Sequence, residues 1–377
     1  MAVFFVMAAF ELCLVRPYKA TEAGLNFSKK LAFDLLTRQA VIDFETKLLG
    51  LLASLSIAVL FFWVADVYGW GWYGRFFELL LEYRYALLVV LFCYFLFIHL
   101  YMEEAKDEYW HFGIWFLTLG RIGDRHIIRN HCLNIGVKAF FLPLMFSYFV
   151  DDWVFFQNVE WQSLDDFDSY FNLIYRSFYF LDLVIAVIGY LSTMRLLNAH
   201  IRWSEQTAGG WLFCLVCYMP FWQIIGRSYL NYQEGGITWS SWISNDTLLY
   251  EVWGCAILLV TALYVLSEAH FGLRFSNLTN RGILTHGFFR WTKHPAYISK
   301  NLAWWIIDIP FIAASWPLAV KNCLALLGIN YIYYQRAKYE ERCLSADPVY
   351  RDYTVYIDEN GLFSFLKRFS KTKKAKT

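Results

Sequence analysis

The chain has 377 residues, of which 58% are hydrophobic, 21% aromatic and only 17% charged. A soluble domain is roughly half apolar and about a quarter charged, so this composition excludes a disordered chain, a collagen-like chain and a soluble two-domain enzyme. The formal net charge is +1 and no basic stripe alternates with the aromatic residues, so the sequence predicts no nucleic-acid partner. We expect an all-α, polytopic integral membrane protein embedded in a lipid bilayer.

An apolar helix needs roughly 20 residues to cross the hydrocarbon core of a bilayer. Eight runs approach this length, and we predict a transmembrane helix in each: 48–66, 85–102, 132–150, 171–191, 211–226, 248–267, 301–316 and 318–335. The apolar segment 1–15 is shorter and is predicted to be an interfacial helix or an additional span. The aromatic segment 109–119 is expected to lie in the membrane interface, where tryptophan and tyrosine are enriched.

Lysine and arginine are concentrated in every second loop of this arrangement. They precede the first predicted span and follow the second, fourth, sixth and eighth, whereas the loop 151–168 is acidic and contains neither residue. By the positive-inside rule, both termini and the loop 268–300 are predicted to be cytoplasmic. We expect the protein in a bacterial inner membrane rather than in the endoplasmic reticulum.

The sequence predicts three parts. Residues 1–245 would form an N-terminal membrane bundle of unrecognised type, and residues 246–366 a C-terminal membrane module. Residues 367–377 form a basic tail, which is expected to lie near anionic lipid headgroups.

Three short patterns match functional motifs without the context those motifs need. The GWGWYG sequence at 69–74 has the spacing of a dinucleotide-binding loop but follows a predicted span instead of a strand, so no cofactor loop is predicted. His126 and His131 are five residues apart, which does not place them on one helix face, and Cys214 and Cys217 lie in an apolar run. We therefore predict no metal site.

Polar side chains gather on the predicted cytoplasmic side of the last three spans. His294 and Tyr297 are three residues apart and share a face if Pro295 begins a helix, a position that proline favours. The N-terminus of this helix would offer unpaired N–H groups to a carboxylate. Arg336 and Glu340 are four residues apart, and this spacing alone allows either a surface salt bridge or a functional site.

The last third of the chain resembles a known family. It reads GILTHGFFRWTKHPAYISKN and, after an apolar hairpin, YEERCLSADPVYRDY. A short aromatic stretch, His-Pro-x-Tyr, a hairpin, Glu-Glu and Tyr-x-x-Tyr thus follow one another over residues 265–357. This order is similar to the C-terminal signature of the isoprenylcysteine carboxyl methyltransferase family and of the related phospholipid methyltransferases.

The resemblance implies a membrane enzyme that transfers a methyl group from S-adenosylmethionine to a lipophilic acceptor, either an isoprenylcysteine-like carboxylate or a lipid headgroup. It implies that the catalytic residue Arg336 faces the acceptor. The cofactor contacts it implies are Arg281, Gly282, Ile283, Leu284, Phe289, His294, Pro295, Ala296, Tyr297 and Glu340. Acidic and aromatic side chains suit the cationic groups of this cofactor, and a carboxylate acceptor, already ionised at neutral pH, needs no strong general base.

The chain departs from the family signature in three respects: Lys293 replaces its arginine, Ser299 replaces its glycine, and the glycine usual before the last Tyr-x-x-Tyr is absent from SADPVYRDY. Integral-membrane sterol reductases, which bind NADPH, share this C-terminal fold, but their signature has an asparagine where this chain has Ala296. An NADPH-dependent membrane reductase and a non-catalytic membrane protein of the same fold therefore stay open as alternatives. Binding of S-adenosylmethionine, of NADPH or of neither would distinguish the three classes.

Overall fold

The computed structural model describes residues 2–27, 37–161 and 164–365. The predicted basic tail 367–377 lies outside the described residues. Nearly all regular structure is helical, and the helices are α1 (Ala2–Phe10), α2 (Arg38–Val67), α3 (Trp72–Glu82), α4 (Arg84–Tyr101), α5 (Glu108–Leu117), α6 (Arg125–Gln157), α7 (Phe167–Leu191), α8 (Ala208–Leu215), α9 (Phe221–Ile224), α10 (Trp239–Trp242), α11 (Leu248–Ala269), α12 (Pro295–Asp308), α13 (Trp316–Leu344) and α14 (Pro348–Asn360). Two short strands, β1 (Trp203–Ser204) and β2 (Thr279–Asn280), pair in antiparallel fashion.

Five of the described helices are long and apolar enough to cross a membrane: α2, α4, α6, α7 and α11. They coincide with the predicted spans 48–66, 85–102, 132–150, 171–191 and 248–267. The prediction of an all-α polytopic membrane protein is therefore confirmed.

The predicted span 211–226 is not a continuous helix. α8 ends at Leu215, and the chain does not become helical again until Phe221, where the four-residue α9 begins. Pro220 has no N–H to donate, and its ring would clash with the carbonyl four residues earlier, so one helix cannot run through this segment.

The last two predicted spans differ in length in the structure. The run 301–316 is only partly helical, because α12 begins earlier and ends at Asp308, after which Ile309 takes a positive φ of 33°. The run 318–335 lies inside α13, whose 29 residues are long enough to cross a bilayer. α13 is nevertheless not among the described helices that are apolar enough to do so.

The described chain folds into two compact units that are interleaved along the sequence. The N-terminal unit comprises residues 1–151, 186–204 and 273–282, and the C-terminal unit comprises 152–185, 205–272 and 283–377. The predicted C-terminal module thus contributes the short segment 273–282 to the N-terminal unit.

Glycines allow close helix packing in the N-terminal unit. A Cβ added to Gly50 of α2 would lie 2.0 Å from the backbone oxygen of Tyr109, and one added to Gly113 of α5 would lie 2.0 Å from that of Thr46. Neither position has room for a side chain. The backbones of α2 and α5 therefore touch, and the aromatic segment predicted at the interface packs as a helix against the first long span.

In the C-terminal unit, α11 and α12 pack along one another. The indole Nε1 of Trp253 in α11 donates a hydrogen bond of 2.8 Å to the carbonyl oxygen of Ile306 in α12. At the opposite end of α12, Ala296 is buried against Tyr264 and Val265. This packing holds the first turn of α12 beside the last turns of α11.

The alternation of basic and acidic loops makes a testable prediction about orientation. A topology reporter or single-cysteine label placed in the acidic loop 151–168 is expected to read as extracytoplasmic, because lysine and arginine are concentrated in the loops on the other side. Reporters at either terminus and in the loop 268–300 are expected to read as cytoplasmic. A cytoplasmic signal from 151–168 would reverse the predicted orientation.

Candidate active site in the C-terminal unit

The start of α12 is as the sequence predicts, with Pro295 as its first residue. The ring of His294, just before the helix, lies parallel to the ring of Tyr297, with centroids 5.4 Å apart and an interplanar angle of 3°. The two side chains therefore share a face. They form a stacked aromatic pair at the helix N-terminus, where backbone N–H groups are unpaired.

The carboxylate of Glu340 in α13 joins the predicted site residues. Its Oε1 accepts a hydrogen bond from the hydroxyl of Tyr297 and another, of 3.2 Å, from Nε of Arg336. Its Oε2 lies 3.8 Å from Nδ1 of His294. The Arg336–Glu340 pair is thus part of a larger polar cluster and is not an isolated surface salt bridge.

Tyrosine rings surround the guanidinium of Arg336, which is 5% exposed. The guanidinium carbon lies 5.0 Å from the ring centroid of Tyr297, 5.5 Å from that of Tyr218 and 5.8 Å from that of Tyr333. Ring faces attract a cation, most strongly where water is excluded. Cys217 and Tyr218 also lie beside the Arg336 side chain.

The Cys-x-x-Cys pattern contributes to the packing around this arginine. Cys214 is fully buried, and the thiol of Cys217 donates to the carbonyl oxygen of Phe213 at 3.4 Å. Within the described residues, no group of three or more His, Cys, Asp or Glu side chains is placed to hold a metal ion.

Glu341 belongs to the site, although the sequence predicts no role for it. Its Oε1 lies 3.2 Å from Nε2 of His294, and its Oε2 lies 3.9 Å from Nζ of Lys293 and 3.1 Å from Nζ of Lys338. Burial raises the pKa of the Glu341 carboxyl, but its hydrogen bond with His294 and the neighbouring positive charges outweigh burial and lower this pKa to about 2. The second glutamate of the Glu-Glu pair therefore carries a negative charge behind the His294 ring.

The structure accommodates both substituted positions of the family signature, Ser299 and Lys293. Ser299, which is 7% exposed, donates its hydroxyl to the carbonyl oxygen of Pro295 at 2.8 Å, so the hydroxyl is satisfied within its own helix. Lys293 lies between two carboxylates, 3.9 Å from Glu341 and 3.9 Å from Asp358. Lysine thus keeps the positive charge of the arginine that it replaces.

Apolar residues form a wall next to the polar cluster. Ile283, Leu284 and Phe289 pack together with Tyr350 and Tyr353 of α14. The hydroxyl of Tyr353 donates to the carbonyl oxygen of Phe289 at 2.7 Å. The Tyr-x-x-Tyr end of the signature therefore holds the loop that precedes His294.

A ladder of amide side chains connects α12 and α13 below Tyr297. Asn301 donates to the carbonyl oxygen of Tyr297 at 2.7 Å, and Asn330 donates to the side-chain oxygen of Asn301. The indole N–H of Trp305 donates to the oxygen of Asn330 at 2.8 Å. These bonds fix the two helices against one another and so hold Tyr297 opposite α13.

Arg281 and Gly282 belong to the N-terminal unit, unlike the other predicted cofactor contacts. The Arg281 side chain is 2% exposed, and it donates four hydrogen bonds of 2.6–2.8 Å to the backbone oxygens of Gly189, Ala199, Leu273 and Phe275. These bonds use most of the guanidinium N–H groups. The side chain therefore ties three separate chain segments together.

We expect the Arg281→Lys variant to unfold at a markedly lower temperature than the wild type. One ammonium group cannot reach four carbonyls, and each buried carbonyl left without a partner costs about 1–3 kcal/mol. Thermal unfolding in detergent measures this, with the exposed Arg121→Lys as the matched control. An unchanged melting temperature together with lost cofactor affinity would instead show that Arg281 acts as a ligand contact.

The fold and the site define the class of this protein. It is an integral membrane protein whose C-terminal unit holds a largely buried arginine, a carboxylate and stacked aromatic rings at the start of α12 and the end of α13. The family model for isoprenylcysteine carboxyl methyltransferases matches residues 248–346, about a quarter of the chain, and confirms the resemblance seen in the sequence. The matched segment is thus similar to membrane methyltransferases of the isoprenylcysteine methyltransferase kind. No curated protein and no solved structure matches the chain.

Proposed function

We propose that this protein transfers a methyl group from S-adenosylmethionine to a lipophilic acceptor that reaches the site from the bilayer. The observation that carries the proposal is the cluster of His294, Tyr297, Arg336 and Glu340. It lies within the family match and brings a carboxylate, a stacked ring pair and a buried cation to one place.

The residues present fit the cationic groups of S-adenosylmethionine. Oε2 of Glu340 accepts no hydrogen bond from any described residue, and the Glu340 side chain is 27% exposed, so this oxygen is available to a ligand. The rings of His294 and Tyr297 add the aromatic faces that a sulfonium or ammonium group prefers. Glu341, held ionised by its neighbours, adds a second negative charge.

Methyl transfer is a displacement that mainly requires the acceptor, the methyl carbon and the sulfur to be aligned. When bound, S-adenosylmethionine supplies the methyl group on a positively charged sulfur. Glu340 and the ring pair would bind and orient the cationic end of the cofactor, while Arg336 would orient an anionic acceptor. Because Glu340 bonds both Tyr297 and Arg336, it would set the distance between the two binding groups.

Arg336 can exchange two of its present neighbours for an acceptor. Cys217 and Tyr218 are neutral, whereas a carboxylate or phosphate oxygen forms a hydrogen bond to a guanidinium that is roughly twice as strong. A charged acceptor would therefore replace the thiol and the phenol, and the bond to Glu340 would remain. A carboxylate of the isoprenylcysteine type fits this arrangement without a general base, and a lipid headgroup with an anionic oxygen is the second candidate.

Ligand binding by the purified protein is the direct test. S-adenosylmethionine is expected to raise the melting temperature by mass action, and NADPH is expected to leave it unchanged. Transfer of a labelled methyl group to a prenylated cysteine with a free carboxylate is then compared with transfer to its methyl ester, in which the carboxylate is already methylated. A rise in melting temperature with NADPH alone would favour the reductase. No change in melting temperature with either ligand would favour a non-catalytic protein.

A further inference from the structure

Two arginine side chains of the N-terminal unit meet without an acidic partner. A nitrogen of Arg274 lies 2.9 Å, and a nitrogen of Arg202 3.7 Å, from the point where a Cβ on Gly282 would stand. The two guanidinium nitrogens are therefore no farther apart than the sum of these two distances. In the part of the chain that the structure describes, neither side chain forms an ion pair or a hydrogen bond.

The short strand pair brings Arg202 to this position. Trp203 of β1 is paired with Asn280 of β2, and the backbone N–H of Arg202 donates to the carbonyl oxygen of Asn280 at 2.9 Å. In this antiparallel register, Arg202 comes opposite Arg281 and next to Gly282. The position of Arg202 is therefore set by backbone pairing and not by a side-chain contact.

Arg281 holds the segment that carries Arg274. Its guanidinium donates to the carbonyl oxygens of Leu273 and Phe275, the two neighbours of Arg274, at 2.7 Å each. A buried cation thus fixes the backbone on both sides of Arg274. Arg202 and Arg274 thus lie in front of Gly282, and Arg281 fixes the backbone of the segment that carries Arg274.

The backbone conformation at the centre of this arrangement favours glycine at position 282. Its φ is +116°, a conformation that side chains disfavour, and a Cβ would collide with the guanidinium of Arg274 at 2.9 Å. The absent side chain leaves room for the guanidinium of Arg274, while that of Arg202 lies at ordinary contact distance.

The positive charges of Arg202 and Arg274 repel one another in the absence of an anion. Burial and the neighbouring charge of Arg202 lower the pKa of Arg274, against the opposing effect of Glu11 and Glu22. Neither glutamate is close enough to form an ion pair with Arg274. An anion between the two arginines would neutralise this repulsion.

We propose that Arg202 and Arg274, which meet in front of Gly282, form a binding site for a phosphate group. Each guanidinium presents a planar fork that binds two oxygens. A phosphate monoester has three terminal oxygens and nearly two negative charges, which match two forks. A carboxylate has only two oxygens, which one fork already satisfies. The phosphate belongs either to the headgroup of an anionic phospholipid or to a free phosphate or soluble phosphate ester.

The test uses the full-length protein in nanodiscs of phosphatidylcholine, with and without phosphatidic acid, and with inorganic phosphate added to the pure phosphatidylcholine discs. Phosphatidic acid or phosphate is expected to raise the melting temperature of the wild type. The Arg202→Ala/Arg274→Ala variant is expected to lose this response, and each single variant to bind about tenfold more weakly. The control Arg121→Ala removes an exposed arginine from the same unit.

The outcomes separate the two sources and can overturn the proposal. A response to phosphatidic acid alone assigns the site to a lipid headgroup, and a response to inorganic phosphate as well assigns it to free phosphate. If the double alanine variant does not fold, Arg202→Lys/Arg274→Lys keeps both charges but loses the forks, and is expected to bind several-fold more weakly. A wild type that responds to neither probe, or variants that respond like the wild type, would refute the site. The arginines would instead be assigned to the cofactor if S-adenosylmethionine no longer raised the melting temperature of the arginine variants and the wild type responded to neither phosphate probe.

Discussion

The Glu340→Gln variant is expected to bind S-adenosylmethionine at least tenfold more weakly than the wild type. Glutamine keeps the size of the side chain and an oxygen for Tyr297 and Arg336, but it removes the negative charge that would face the cofactor. A hydrogen bond to a charged group contributes about 1.5–3 kcal/mol, which corresponds to roughly tenfold or more in affinity. Isothermal titration of the purified variants measures the change.

Glu251→Gln is the matched control for this variant. Glu251 is exposed near the start of α11, so the substitution makes the same change of charge in the same unit without touching the cluster. Both variants are expected to melt close to the wild type in the absence of ligand. If Glu340→Gln folds and binds S-adenosylmethionine with unchanged affinity, Glu340 is not a cofactor contact.

The Arg336→Ala variant is expected to bind S-adenosylmethionine nearly as the wild type does and to lose methyl transfer by at least a hundredfold. The acceptor loses the group that orients it, and a charge-assisted contact made in the transition state is worth several kcal/mol. Arg336→Lys is expected to recover only part of the rate, because a point charge cannot clamp two oxygens. Single-turnover methyl transfer to a prenylated cysteine gives the rate.

Arg342→Ala provides the control on the same helix, since Arg342 is exposed and lies six residues after Arg336. The competing interpretation is that Arg336 only holds Glu340 in place. In that case Arg336→Ala and Glu340→Gln would weaken cofactor binding by similar amounts, and the double variant would be no worse than either single one. Separate effects on cofactor and acceptor would support the division of roles.

Local spacing predicted the start of α12 correctly. Proline is compatible with the first helical position and the 3.6-residue repeat brings positions three apart to one face, so His294, Pro295 and Tyr297 could be interpreted without knowledge of the rest of the chain. The same repeat places Arg336 and Glu340 on one face of α13. These features depend on residues close in sequence, and this is why they were predictable.

The role of Glu341 was missed for the complementary reason. On a helical wheel it points away from Glu340, and a wheel describes only one helix. In the structure the loop before α12 brings the His294 ring to it, across 47 residues of sequence. The available signal was a second glutamate directly after Glu340, in a site that we propose binds a cationic cofactor.

The sequence by itself determined the class of this protein, because apolar runs of membrane length and the excess of aromatic residues follow from composition and order alone. It also determined which residues of the last third match a methyltransferase family. Only the tertiary structure decided what the arginines do. Arg281 binds carbonyls up to 92 residues away, and Arg202 meets Arg274 through the register of β1 and β2. A guanidinium can donate hydrogen bonds to a ligand, to a carboxylate or to a backbone oxygen. Its role is therefore set by which of these groups the completed fold brings within hydrogen-bond distance.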